Sequence, residues 1–349
     1  MTDTQNEMAA IVAEQAERLF AGAVSRERLE AADGGPFDTQ LWTEVQQMGL
    51  PLALLAETEG GIGLALGQAF GLARRAAAHA LQLPLGETMI VAALTSTPAE
   101  APATLALAKD DGALPSVAWG GDAAQVLVAD AQGWQLVDAA DVSTSERRNL
   151  AGEPRCDLTR VAEQGRSVAV PDWLSADTDS PVEALRAVGA LLRSVQISGA
   201  LGRAVELAVR HATERQQFGR PLSKFQAIQH MLAVATEESA AVWAVSDAAA
   251  EGWGRPGFVL RAAMAKSRAG LATGRVAAIV HQIHAAMGFT REHELHFTTR
   301  RLFSWREEFG SDALWDEWIG RRVCAAGGAA LWPQLVASTT AHATGEDAA

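Results

Sequence analysis

Arg215-Gln216-Gln217-Phe218-Gly219-Arg220-Pro221-Leu222-Ser223-Lys224-Phe225-Gln226 sets a cation, an aromatic ring, a glycine turn and an amide at fixed intervals across a helix break. The run from Pro181 to Thr213 reads as one long helix, Gly219 and Pro221 stop it, and Ser223 opens another. Arg215 and Gln226 therefore flank a single bend. Arginine offers phosphate a planar fork, and the first turn of the following helix adds unpaired N–H groups and the positive end of its dipole, so the bend is a candidate anion site. The same residues have a plainer reading. Ser223-x-x-Gln226 has capping-box spacing, and an arginine at a helix end also serves as a dipole partner or a solvated charge.

The surrounding chain has the length and composition of a large globular fold. It holds 349 residues, 48% of them hydrophobic, enough for an extensive core and two or three domains. A net charge of −13 argues against nucleic-acid binding, which draws its affinity from clustered Lys and Arg. Cys156 and Cys324 lie far apart with no zinc spacing, so neither a disulfide framework nor a metal knuckle is expected, and a reducing cytoplasm fits. Asp3, Glu7 and Glu14 mark an N-terminus without a basic segment and apolar run, and charged residues or His interrupt every apolar run; neither a targeting segment nor a spanning helix is expected.

Helical periodicity runs from Thr4 to about Thr97, with Met8, Ile11, Val12 and Leu19 on one face and Leu41, Val45, Met48 and Leu50 on another. Gly34-Gly35-Pro36 and Glu57-Thr58-Glu59-Gly60-Gly61-Ile62-Gly63 divide this half. Near Pro102 the pattern changes to short apolar or alternating runs, 104–108, 116–119, 125–129 and 134–137, separated by Asp110-Asp111-Gly112, Gly120-Gly121-Asp122 and Gln132-Gly133. Ser180-Pro181-Val182-Glu183 has the form of an N-cap, a first-turn proline and a capping acid. Long Ala-rich helices at 181–213, 223–251 and 256–286 then suit a bundle. The expectation is an α+β, mostly α chain with an N-terminal helical domain (1–100), a small β domain (101–176) and a C-terminal helical bundle (177–349).

Arg215-x-x-Phe218-Gly219 followed by Gln226 resembles the flavin pyrophosphate and adenine clamp of the acyl-CoA dehydrogenases. Gln282-Ile283-His284-Ala285-Ala286-Met287-Gly288-Phe289-Thr290, continuing to Glu292, resembles that family's second flavin segment, and the Glu57 to Gly63 loop resembles the one after its early helices. The three occur in the family's order over most of the chain. The resemblance implies FAD as cofactor, an acyl-CoA thioester as substrate, an electron-transferring flavoprotein as acceptor, and Arg215, Gln217, Phe218, Gln226, Ile228, Gln282 and Ala286 as cofactor-binding residues.

It also implies a carboxylate base for the α-proton and a flavin that takes a hydride from the β-carbon. In most members the base lies just before a glycine in the loop after a late helix, where an ungapped count places Phe309, followed by Gly310. Glu308 becomes the candidate if the loop slips by one residue, and a solvated charge cluster if it does not. The alternative family position, on the first bundle helix, falls on Leu192 beside Arg193. The Thr-Glu-Pro-type segment and Gly-Ser turn that hold the flavin ring are missing, with only Gly120-Gly121-Asp122 near the expected place. Ala285 and Ala286 stand where a Gly pair is usual. The chain thus resembles the short subunits of heterotetrameric dehydrogenases acting on sterol side chains, which complete a flavin site for a longer, base-bearing partner. A self-sufficient homotetramer using Glu308, and a non-catalytic interaction protein of the same fold, remain as rivals. Glu292-His293-Glu294-Leu295-His296 gathers ligand-type side chains, but the paired Glu-x-x-His of di-iron bundles is not found, so no metal is expected and His284 reads as a packed imidazole. Trp305, Trp315 and Trp318 read as core or interface.

Overall fold

A computed structural model of the chain describes residues 3–160, 165–290 and 292–340. Residues 1, 2 and 341–349, the outer ends of the first and last expected domains, lie outside the described residues. The N-terminal part is built from α1 (Asp3–Ala23), α2 (Arg26–Ala32), α3 (Thr39–Gln47), α4 (Leu66–Ala78) and α5 (Leu85–Thr95). Val45 and Leu50 are buried as expected, but Met8 and Ile11 are exposed. The inward stripe of α1 runs instead through Ala9, Ala16, Phe20 and Ala23, because small residues let α1 lie close against α4.

Seven strands follow: β1 (Ala103–Leu107), β2 (Leu114–Ala118), β3 (Gln125–Asp130), β4 (Gly133–Asp138), β5 (Val142–Arg148), β6 (Pro154–Arg160) and β7 (Arg166–Val168). One sheet has the order β1-β3-β4-β7, with β1 and β3 parallel and the other pairs antiparallel; the second has the order β2-β6-β5 and is antiparallel. Val126, Val128, Val137, Val117 and Leu158 pack between the sheets, while Leu105, Leu127, Trp134 and Leu136 pack toward the helices. The first sheet is covered on both faces, which explains why β3 carries the unbroken apolar run Val126-Leu127-Val128-Ala129. Strand β5 carries no apolar alternation in its Ser, Glu and Arg residues, and β6 alternates only through Cys156 and Leu158 among charged neighbours, so the sequence marks neither as a strand.

After the short α6 (Asp172–Ser175), the bundle consists of α7 (Pro181–Glu214), the hairpin strands β8 (Gln216–Gln217) and β9 (Arg220–Pro221), α8 (Gln226–Ala250), α9 (Phe258–His284), α10 (Leu295–Glu307), α11 (Asp312–Ala326) and α12 (Gly328–Thr340). Ser180 Oγ accepts the Glu183 amide and Pro181 fills the first turn, as the sequence implies. Helix α7 is apolar nearly all round and central, packed by α4, α8, α9 and α10. Gly189 is required there: a Cβ would lie 2.2 Å from the Phe309 ring. Among the described residues no helix is long and apolar enough to cross a membrane.

Candidate functional site

At the C-terminal end of α7 the chain reverses through a two-residue hairpin turn. Gln217 pairs with Arg220, and the intervening Phe218 and Gly219 have φ of 51° and 78°. Positive φ at both central positions is the turn whose twist matches a hairpin, easy for glycine and strained for phenylalanine. Phe218 is nevertheless 92% exposed at the tip, edge-on to Phe225. Arg220 stacks over Phe225 at 4.2 Å, whereas the Arg215 guanidinium, exposed at the cap of α7, has no hydrogen bond or ion pair with a described residue.

Ser223 does not open the next helix. Leu222–Lys224 is a 3₁₀ turn, Phe225 is the N-cap of α8, and no side chain caps it. The capping-box reading of Ser223 and Gln226 is therefore replaced by a bare helix start with Gln226 exposed in its first turn. Ile228 lies one turn in and packs against the bundle core, a position that supports the helix start from behind.

The second segment ends α9. Gln282 is exposed on its last turn, and Ala285, Ala286, Met287 and Phe289 form an outward 3₁₀ turn in which Phe289 is 75% exposed and stacks on His281. Ala285 has φ 52° and ψ −137°, a conformation suited to glycine. A methyl group thus sits on a backbone conformation that favours glycine. The two segments meet through His211, one turn before Arg215, whose ring stacks on His284 at 4.6 Å between centroids. His293 lies edge-on to His284 at 4.5 Å. Burial first of all lowers the pKa of His211, His284 and His293, the last to about 4, and outweighs the backbone hydrogen bonds of His284 and the Glu294 charge beside His293, which act the other way. Behind the exposed guanidinium and amides, the rings are neutral at pH 7.

Glu308 lies at the other end of α10 in a different environment. Its Oε1 accepts from Arg155 Nε at 3.0 Å and from Arg155 Nη2, and its Oε2 accepts from Arg193 Nε at 2.7 Å. Arg193 also donates to Glu87 at 2.8 Å, and Arg155 to Glu153, which accepts further bonds from Trp305 Nε1 at 3.0 Å and Asn149 Nδ2 at 2.8 Å. Arg301 completes the group beside Glu153. Arginines 155, 193 and 301 balance glutamates 87, 153 and 308, and all but Glu308 are buried. Burial alone would raise the pKa of Glu308; the charges of Arg155 and Arg193 outweigh it and hold the carboxyl at about 2. Such a carboxylate is a weak base at neutral pH.

Phe309, with φ 55°, fills the space over Gly189. Lys266, wholly buried, donates to the carbonyls of Arg306 and of Gly310, the latter at 2.7 Å, and fixes this loop; burial lowers its pKa to about 7. The recess beside Glu308, bounded by β1, β2 and Phe309, has a volume of about 280 Å³. Small-molecule pockets are usually about 300–1,000 Å³. A larger cleft of about 620 Å³ lies between α1, α4, α7 and α8, with Arg74 over Trp243 at 4.0 Å and paired with Asp247. Its sequence signal was the small-residue spacing of Gly67, Gly71, Gly199 and Gly202 on facing helices.

Residues 186–324 match the family model for the acyl-CoA dehydrogenase C-terminal domain. Acyl-CoA dehydrogenase IpdE2 of Mycobacterium tuberculosis is 30% identical over 293 residues, covering 80% of this chain and 85% of that protein. The fold is similar to a solved structure of a Tcur3481-Tcur3483 steroid ACAD variant, at TM-score 0.81 and 22% identity over 93% of this chain and 99% of that one. It is also similar to the ChsE4-ChsE5 complex from Mycobacterium tuberculosis, at TM-score 0.79 and 19% identity over 92% and 97%. The family match and the relative together define an oxidoreductase acting on acyl-CoA. The chain belongs to the acyl-CoA dehydrogenase family.

Proposed function

We propose that this chain is the clamp-bearing subunit of a heteromeric FAD-dependent acyl-CoA dehydrogenase, with the base and the ring-holding groups supplied by a longer partner. The carrying observation is Glu308: the nearest carboxylate to the expected base position is neutralised by Arg155 and Arg193 inside a balanced buried cluster. Opposite chemistry prevails at the clamp. No described residue hydrogen-bonds to the side chains of Arg215, Gln217, Gln226 or Gln282, and all four are exposed.

That donor set fits a nucleotide tail. Arg215 would hold the diphosphate with the bare start of α8, Gln226 and Gln282 the adenine end, and Phe218 would cover it. Ala285 and Ala286 would line the same end through their backbone. When bound, FAD supplies the redox step of α,β-dehydrogenation. This chain's own residues bind and orient the cofactor and keep water from its tail. The names of the neighbours, a steroid dehydrogenase and a two-component complex, support a bulky steroid-type acyl-CoA as substrate and a heterotetramer as the assembly; the family supports an electron-transferring flavoprotein as acceptor and work in the cytoplasm.

Co-expression with longer dehydrogenase subunits tests the reading by the visible flavin spectrum. Colour only in the co-expressed assembly is expected. Yellow protein from the single chain with turnover would favour the homotetramer, and colour in no combination the interaction protein.

A further inference from the structure

Three histidines from three elements converge behind the clamp: His211 from the last turn of α7, His284 from the end of α9, and His293 from the loop before α10. One ring nitrogen of each lies within 4.8 Å of the others. His284 is 2% exposed, its Nδ1 bonds the Val280 carbonyl at 2.7 Å, and its buried Nε2 makes no well-aligned hydrogen bond, although the Leu207 carbonyl lies close to the ring and an incoming ion would have to turn the ring from it. An Nδ1–H given to a backbone carbonyl leaves the Nε2 lone pair free, the arrangement that orients metal-binding imidazoles.

We propose that His211, His284 and His293 form a binding site for a divalent transition-metal ion of the Zn²⁺ type, with water in a fourth position. Three imidazoles without carboxylate ligands suit Zn²⁺, Co²⁺, Ni²⁺ or Cu²⁺ and not Mg²⁺ or Ca²⁺. Tetrahedral Zn²⁺ holds nitrogens at about 2.0–2.1 Å, hence about 3.3 Å apart, so the ring nitrogens must converge by up to roughly 1.5 Å, which requires His211 to rotate out of its stack on His284. His211 and His293 are only partly buried, so such rotation is open on their solvent side. Ligation displaces the Leu295 amide, which now donates to His293 Nδ1 at 3.1 Å; Leu295 begins α10, where a first-turn amide has no partner within the helix. The adjacent cation Arg210 is paired with Glu294, which Arg203 also holds, so part of the local positive charge is already offset. An ion here would join the ends of α7 and α9, the elements that carry Arg215 and Gln282. The site does not depend on the clamp holding a flavin.

The test uses the full chain in the assembly in which it purifies, stripped with a chelator and titrated with Zn²⁺ by calorimetry and with Co²⁺ by visible absorption. One ion per chain is expected, with the Co²⁺ spectrum of tetrahedral nitrogen ligation. His211→Gln and His293→Gln should each weaken binding at least tenfold and together abolish it, while His230→Gln on exposed α8 leaves it unchanged. Circular dichroism confirms that the variants are folded, and buried His284 is left intact for that reason. Stoichiometric binding that survives the double variant, or a folded native chain that takes up neither ion, would overturn the proposal.

Discussion

The two ends of α10 show opposite solutions to the placement of polar groups. Before it lies the clamp, where a guanidinium, three carboxamides and a bare helix start face outward and a phenylalanine is held at the tip of a strained turn. After it lies the Glu308 cluster, where three arginines and three glutamates pair with one another largely out of water. Groups left unpaired at a surface remain available to a ligand. Groups paired in the interior are committed to the fold, because removing either partner strands a desolvated charge.

The strongest way to break this contrast is Arg193→Ala, which leaves Glu87 and half of Glu308 facing no cation. Chemical denaturation should show a loss of about 3–5 kcal/mol. A change below about 1 kcal/mol would mean that the cluster is not a structural unit.

Acid should then find the cluster before it finds the clamp. Glu308 has its folded pKa depressed from 4.5 to about 2. Its stabilisation is present above the unfolded value and disappears as pH falls from about 4.5 through 2, on the order of 3 kcal/mol in all. Glu308→Gln should flatten that limb of the stability profile, whatever it does to stability at pH 7. An unchanged acid limb would show that Glu308 is not held ionised.

Arg215→Ala probes the other side. In the assembled protein, losing a charge-assisted phosphate contact of about 1.5–3 kcal/mol should lower flavin affinity roughly 10- to 100-fold. The denaturation midpoint should stay within about 0.5 kcal/mol of native, as for other surface substitutions. Unchanged flavin occupancy would remove the clamp assignment.

The smallest effect is at Ala285→Gly. Restoring glycine at φ 52° and ψ −137° relieves backbone strain, less the added freedom of the unfolded chain, for a net gain of about 1 kcal/mol. Thermal unfolding would report it as a rise in Tm; a fall would show that the methyl group makes a contact worth more than the strain.

Much of the molecule is legible in sequence where the signal is local. The Ser180 cap and Pro181, the apolar run of β3 and the Phe218-Gly219 turn each follow from neighbours within a few residues, whose sterics and hydrogen bonds act before any long-range contact forms. The order of helix, strand and helix follows the same way. The start of α8 was misread because a 3₁₀ turn and an α-helical turn share the same polar residues over three positions. Met8 and Ile11 were placed inward because periodicity marks a stripe but not which of two apolar stripes finds a partner.

Tertiary structure alone decided what Glu308 and the histidines are. Glu308 is separated from Arg155 and Arg193 by more than a hundred residues, and its acidity is fixed by burial and by those two charges, neither of which one-dimensional spacing records. His211, His284 and His293 come together only because α7 and α9 end at the same level of the bundle. Backbone preference is a property of adjacent residues and can be read along the chain, whereas electrostatic environment is a sum over everything nearby in space.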